Sequence, residues 1–260
     1  MIQLPIGNEF LEVNIDDVNL EDQLNTWYRS PKNHSNRYLG SVEINVSHDD
    51  FSNYPSLPLV EWEANDCIFQ AKGCQGKIGS SDGAELAVNH PFPVVFIEQF
   101  LRVVTAIQVF RSGGLFVHSA GLIKNGKGYL FSGYSGAGKT TICRISQDCQ
   151  VLNDDLVILY LGEQKWTISA TPFSNPTQVQ PGTGSGNLEM IVHLKQASYH
   201  KIRSVPFHEA LSSLISHVPV ISAAPRFSED LFKRSVEIIR NTEVRELSFT
   251  TDNGFWKLIE

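Results

Sequence analysis

Leu115-Phe116-Val117-His118-Ser119-Ala120-Gly121-Leu122-Ile123-Lys124, then Asn125-Gly126, then Lys127-Gly128-Tyr129-Leu130-Phe131-Ser132, then Gly133-Tyr134-Ser135-Gly136-Ala137-Gly138-Lys139-Thr140-Thr141 run without a break through the middle of this chain. Asn-Gly between two apolar runs is the strongest short-range signal for a type I′ hairpin, whose two central residues both take positive φ. The run 127–132 is therefore predicted to pair antiparallel with the run before it. Gly133, Gly138, Lys139 and Thr140 then satisfy the pattern G-x-x-x-x-G-K-[ST]. In that pattern glycines let the backbone curl until successive N–H groups face phosphate oxygens. The lysine reaches the β- and γ-phosphates, and the hydroxyl is placed to ligate Mg²⁺. The whole loop, Gly133, Tyr134, Ser135, Gly136, Ala137, Gly138, Lys139, Thr140 and Thr141, is the candidate nucleotide site. The apolar-periodic stretch 141–145 reads as the helix leaving it.

Most phosphate-loop strands lie in parallel sheets reached through helical crossovers. Entry through a hairpin is wrong for small GTPases, adenylate-kinase-like enzymes and motor ATPases. Past the loop, Val151-Leu152-Asn153-Asp154-Asp155 sets two carboxylates at the end of a short apolar run. Phosphoryl transfer needs positioning, charge neutralisation and a base for the acceptor hydroxyl. Asp154 and Asp155 are candidates for catalysis and, with Thr140, for holding Mg²⁺; spacing does not divide base from metal support between them. Lys139 and His118, which lies on the strand entering the hairpin, complete the candidate catalytic set.

The hairpin, His118, the loop and the paired aspartates together resemble the HPr kinase/phosphorylase family, which shares a nucleotide-binding core with ATP-dependent phosphoenolpyruvate carboxykinases. The likeness continues through Ala170-Thr171-Pro172-Phe173-Ser174 to Thr250-Thr251-Asp252-Asn253-Gly254-Phe255-Trp256, where the tail looks like a carboxykinase-like branch. It covers residues 112–260 and reaches 1–90 only weakly. It implies an α/β fold leaning to α+β: a mixed, largely antiparallel sheet forming the phosphate-loop core, with a β-rich accessory region packed on it. It also implies an ATP- and Mg²⁺-dependent kinase in which His118 contacts the transferring phosphate. Two features depart from the family. Thr140-Thr141 stands where HPr kinases usually carry Ser then Glu, and the Arg-Gly segment those kinases place near their protein substrate is missing.

The acceptor hydroxyl is expected on a small molecule, such as a free amino acid, or on a peptide or protein serine. The alternative is a non-catalytic nucleotide-binding regulator of a biosynthetic pathway. Thr171, Pro172, Phe173 and Ser174 follow a predicted strand and are candidates to line the acceptor pocket. Arg203, Arg226 and Arg245 are candidates to clamp a phosphate or carboxylate, Arg226 first among them. Pro181-Gly182-Thr183-Gly184-Ser185-Gly186 reads as a surface loop, or alternatively as a lid over the site.

The domain reading places an accessory antiparallel sheet in 1–90 and the phosphate-loop domain in 91–260. Strands are predicted at 38–46, 59–62, 67–71, 85–88, 156–161, 165–170, 189–195 and 244–250. Helices are predicted from Pro93 to Arg111, at 207–217, and from Ser228 to Arg240 with Ser228 as cap. An apolar content of 42% with 19% charged residues is that of a globular chain. The net charge of −7 opposes binding to nucleic acid or an anionic membrane surface. With no signal-peptide pattern and no apolar run of about 18 residues, the chain is expected to be soluble and cytoplasmic. Cys67, Cys74, Cys143 and Cys149 have no C-x-x-C spacing and are expected as free, buried or partly buried thiols. The sequence is compatible with a homo-oligomer.

Overall fold

The computed structural model describes residues 1–28, 37–173 and 179–260. It is an α/β protein with two mixed sheets, and its contacts divide it into 1–112 and 113–260. Ser174 of the predicted acceptor segment lies outside the described residues.

In the first unit, β1 (Ile2–Ile6), β2 (Glu9–Ile15), β3 (Arg37–Val46), β4 (Leu59–Glu63), β5 (Asp66–Ala71), β6 (Cys74–Ile78) and β7 (Gly83–Val88) form a sheet in the order β1-β2-β3-β7-β6-β5-β4. The sequence suggested an antiparallel sheet. Instead β2–β3 and β3–β7 are parallel pairs. The β3–β7 pair is reached through β4, β5 and β6, and the β2–β3 pair through α1 (Val18–Tyr28), a helical crossover that sequence reading did not find. Its Leu20, Leu24 and Tyr28 fall at four-residue steps and are buried, and the Asp17 carboxylate accepts the Leu20 N–H at 2.9 Å to start it. Helix α2 (Val94–Arg111) lies against β3, β6 and β7, with Phe100 edge-on to Phe69 at 5.4 Å. Its apolar stripe thus belongs to the first unit, and the division falls after the helix rather than at residue 90.

In the second unit, β8 (Leu115–His118), β9 (Ala120–Lys124), β10 (Lys127–Ser132), β11 (Gln150–Asn153), β12 (Leu156–Leu161), β13 (Trp166–Ser169), β14 (Ser185–Gln196), β15 (Lys201–Ser204) and β16 (Glu243–Phe249) form one sheet. The predicted hairpin is present: β9 and β10 pair antiparallel, and Asn125 and Gly126 turn at φ 51° and 75°. The other edge of β10 pairs with β14 in parallel, and β14 pairs with β16 in parallel. The remaining pairings are antiparallel. Long β14 is the branch point, meeting β13 at its start and β16 over its second half.

Helix α3 (Lys139–Ile145) follows the loop; α4 (Phe207–Ser216) and α5 (Ser228–Asn241) pack on one another, and α6 (Trp256–Ile259) closes the chain. Alternation along the strands sends Tyr129, Phe131, Met190, Val192, Leu247 and Phe249 to one face, where Ile142 of α3 and the tail residues Phe255 and Trp256 join them. Trp256 lies edge-on to Tyr129 at 5.1 Å and donates its indole N–H to Ser146 Oγ at 3.0 Å. The tail that resembled the family in sequence therefore supports the strand that feeds the loop. Ser228 is the first helical residue of α5 rather than its cap, and its hydroxyl donates to the Pro225 carbonyl. No helix among the described residues is long and apolar enough to cross a membrane. All four cysteines are free, and burial pushes the thiol of Cys74 up to about 12 and that of Cys149 to about 11.

Candidate active site

Backbone chemistry shapes the loop first. Gly136 and Gly138 take φ of 80° and 106°, a region L side chains rarely adopt. A Cβ on Gly138 would also meet Phe249 Cζ at 2.5 Å. Gly138→Ala is therefore expected to cost about 2–3 kcal/mol, from backbone strain and overpacking together. Calorimetry of wild type and variant should show a melting point lowered by several degrees; equal melting points would contradict this packing. The curl is held by Ala137 N–H donating to Tyr134 O at 2.9 Å and by Gln196 Nε2 donating to Gly136 O at 2.6 Å.

Lys139 is buried and donates through Nζ to Gly133 O at 2.8 Å. Burial lowers its pKa from the usual lysine range, while Asp155 and then Asp154 pull it back up. Both aspartates thus act on the lysine of the loop.

Strand pairing brings His118 to the same place. β8 and β12 run antiparallel with His118 opposite Leu156, so Asp155 comes next to the imidazole. His118 Nε2 lies 2.9 Å from Asp155 Oδ1. The imidazole is half exposed and the carboxylate about one-fifth exposed, so the pair opens to solvent from one side. Asp154 is enclosed, and its Oδ2 has no hydrogen-bond partner among the described residues. A buried carboxylate oxygen left without a donor is a place for a cation.

Asn153 fixes the turn that presents these carboxylates. Its Oδ1 accepts the N–H groups of Asp155 and Leu156 at 2.8 and 2.9 Å. Its Nδ2 faces Phe173 O at 2.7 Å, and Thr171 O and Oγ1 at 3.2 Å each. Thr171 in turn donates to Leu156 O at 2.7 Å, and Phe173 lies edge-on to Phe116 at 6.0 Å. Thr171 and Phe173, expected to line an acceptor pocket, are instead closed off from solvent, and they secure Asn153. Asn153→Ala strands several buried partners and is expected to destabilise the protein by about 3 kcal/mol. A urea midpoint within error of wild type would refute that role.

The arginines do not converge as a clamp. Arg203 forms a two-pronged pair with Glu246, 2.7 Å on each prong. Arg245 is paired with Glu243 and donates to Ser204 Oγ. Arg226 lies on the turn 225–227 with its guanidinium 4.7 Å from the Phe227 ring. In the glycine-rich segment, Gly182 N–H donates to Leu152 O, Gly184 O accepts from Ala170 N–H, and Thr183 O accepts from Gln150 Nε2. Residues 182–184 are thereby stitched to β11 and its surroundings rather than arranged as a free lid.

Two histidines that sequence reading passed over stand beside the loop. His193 on β14 is directly opposite Ser132, the residue before Gly133. His217, which follows α4, accepts the His118 N–H through its carbonyl at 2.7 Å. Its ring lies 6.5 Å from that of Tyr134 in the loop. Burial, and then the charge of His217, lower the His193 pKa. His193 falls on the face of β14 opposite Met190, Val192 and Leu194, and nothing local marked it or His217.

For Mg²⁺ bound with a nucleotide, one or two carboxylates plus phosphate oxygens suffice. Thr140 and Asp154, with its unpartnered oxygen, fit that need. Among the described residues there is no group of three or more His, Cys, Asp or Glu side chains suited to holding a metal without a nucleotide. Compared with protein-family models and with curated proteins, the chain gives no match.

Proposed function

We propose that the protein is an ATP- and Mg²⁺-dependent phosphotransferase that passes the γ-phosphoryl group to an acceptor hydroxyl. The observation that carries this reading is that the turn between β11 and β12 sets Asp154 and Asp155 where both act on the lysine of the loop, while the end of β8 brings His118 onto Asp155.

In this mechanism the loop amides and Lys139 grip the triphosphate. Thr140 and Asp154 would hold Mg²⁺, which would supply charge to neutralise the phosphates. Asp155 accepts the proton of the acceptor hydroxyl, and His118 fixes the carboxylate through its 2.9 Å contact. The acceptor oxygen forms its bond to the γ-phosphorus as the bond to the bridging oxygen breaks, and ADP leaves. Lys139 stabilises the charge that develops on the phosphoryl oxygens. A purely regulatory nucleotide binder would not require these side chains to meet, so their convergence favours catalysis.

Incubation with γ-labelled ATP, Mg²⁺ and a panel of free amino acids, small alcohols and serine peptides tests the proposal. Label recovered in an organic phosphate ester supports it. ATP binding without labelled ester from any acceptor would shift the reading to the regulator.

A further inference from the structure

Ser132, His193 and Glu246 stand directly across from one another on parallel strands β10, β14 and β16, and antiparallel β15 adds Arg203 opposite Glu246. Directly opposed residues project to one face of a sheet. Here it is the face away from the Tyr129–Phe131 core. Neighbouring strands lie ~4.8 Å apart, so His193 is one such step, and Glu246 two, from the residue preceding Gly133. The row starts at the carboxyl end of β10, where the loop begins, and from there crosses β14 and β16.

Two observations tie the row to the proposed chemistry. His217 bridges it to the catalytic pair: its carbonyl accepts the His118 N–H, and its charge acts on His193, as do those of Glu246, Glu209 and Arg203. Ser132 is 3% exposed, and its hydroxyl has no hydrogen-bond partner among the described residues. An enclosed hydroxyl without a partner is rare in folded proteins and here faces a polar row.

We propose that this row is the acceptor site and that it takes a free hydroxy-amino acid, a small zwitterion, rather than a serine within a peptide. The inference rests on the phosphotransferase reading above. A hydroxyl placed at the loop end of the row, where Ser132 meets Gly133, leaves the amino acid's two charges over Glu246 and Arg203. Those two side chains already satisfy each other along one edge. The remaining guanidinium N–H groups can receive a carboxylate, and the remaining carboxylate lone pairs an ammonium. The charges match with no net charge brought into the site. A peptide serine has neither charge, because its amine and carboxyl are locked in amide bonds.

The test uses the full chain with γ-labelled ATP and Mg²⁺, and L-serine, L-threonine, L-homoserine or N-acetylserine amide as acceptor. Calorimetric binding of the same four compounds runs in parallel. At least one free amino acid is expected to exceed the capped compound in kcat/KM by about tenfold or more, the range of charge-assisted contacts. Arg203→Met and Glu246→Gln should each raise the KM for that acceptor by about tenfold and leave ATP affinity unchanged, which also reports an intact fold. Equal use of the capped compound overturns the inference while the phosphotransferase stands. So does an unchanged acceptor KM in both variants. Binding of a free amino acid that both variants weaken, without any phosphoryl transfer, upholds the site and removes the phosphotransferase. No binding and no transfer with any of the free amino acids overturns the inference.

Discussion

Asp155→Asn is expected to reduce phosphoryl transfer by about a thousandfold while leaving ATP affinity within about twofold, the span expected for loss of a positioned general base. The amide keeps the shape of the carboxylate and can still contact His118, so the turn built on Asn153 should fold unchanged. What is lost is the proton acceptor. Asp154→Asn should behave differently, since its enclosed oxygen is assigned to the metal. Its deficit is expected to show as a raised Mg²⁺ requirement. The measurement is steady-state transfer at saturating ATP across a Mg²⁺ titration. A turnover deficit in Asp155→Asn that excess Mg²⁺ repairs would exchange the two assignments.

Lys139→Ala is expected to weaken ATP binding by about 10- to 100-fold, the equivalent of ~1.5–3 kcal/mol for a hydrogen bond to a charged group. Turnover should fall further, by about a hundred- to a thousandfold, because the ammonium also faces charge that grows only in the transition state. The substitution removes the Nζ contact to Gly133 O and a buried cation near two aspartates. Titration calorimetry with ATP, alongside transfer rates, separates the two effects. Wild-type affinity in the variant would mean that the loop binds nucleotide by its amides alone or not at all.

How much of this arrangement could be seen in the sequence depends on the range of the interaction. The Asn125-Gly126 hairpin and the loop are local, set by residues within one turn of each other, and both were legible. That Asp154 and Asp155 sit near the loop was suggested by resemblance and order along the chain. The His118–Asp155 contact required the pairing of β8 with β12, which no local pattern encodes. The α1 crossover was passed over because its apolar residues are widely spaced among polar ones, and the parallel β2–β3 pair went with it. Thr171 and Phe173 looked like pocket lining because they follow a strand. Their burial comes from Asn153 and Phe116, partners far off in sequence. The row from Ser132 to Arg203 was invisible for the same reason: it exists only across four strands.

A single-turnover experiment tests the central claim most directly, that one set of residues holds the nucleotide and Asp155 with His118 moves the phosphoryl group. Wild type and Asp155→Asn are each loaded with γ-labelled ATP and Mg²⁺ and mixed with an acceptor identified from the panel. The account predicts that wild type passes its label to the acceptor hydroxyl while Asp155→Asn retains it as bound ATP. Label transfer at the wild-type rate by Asp155→Asn would contradict it.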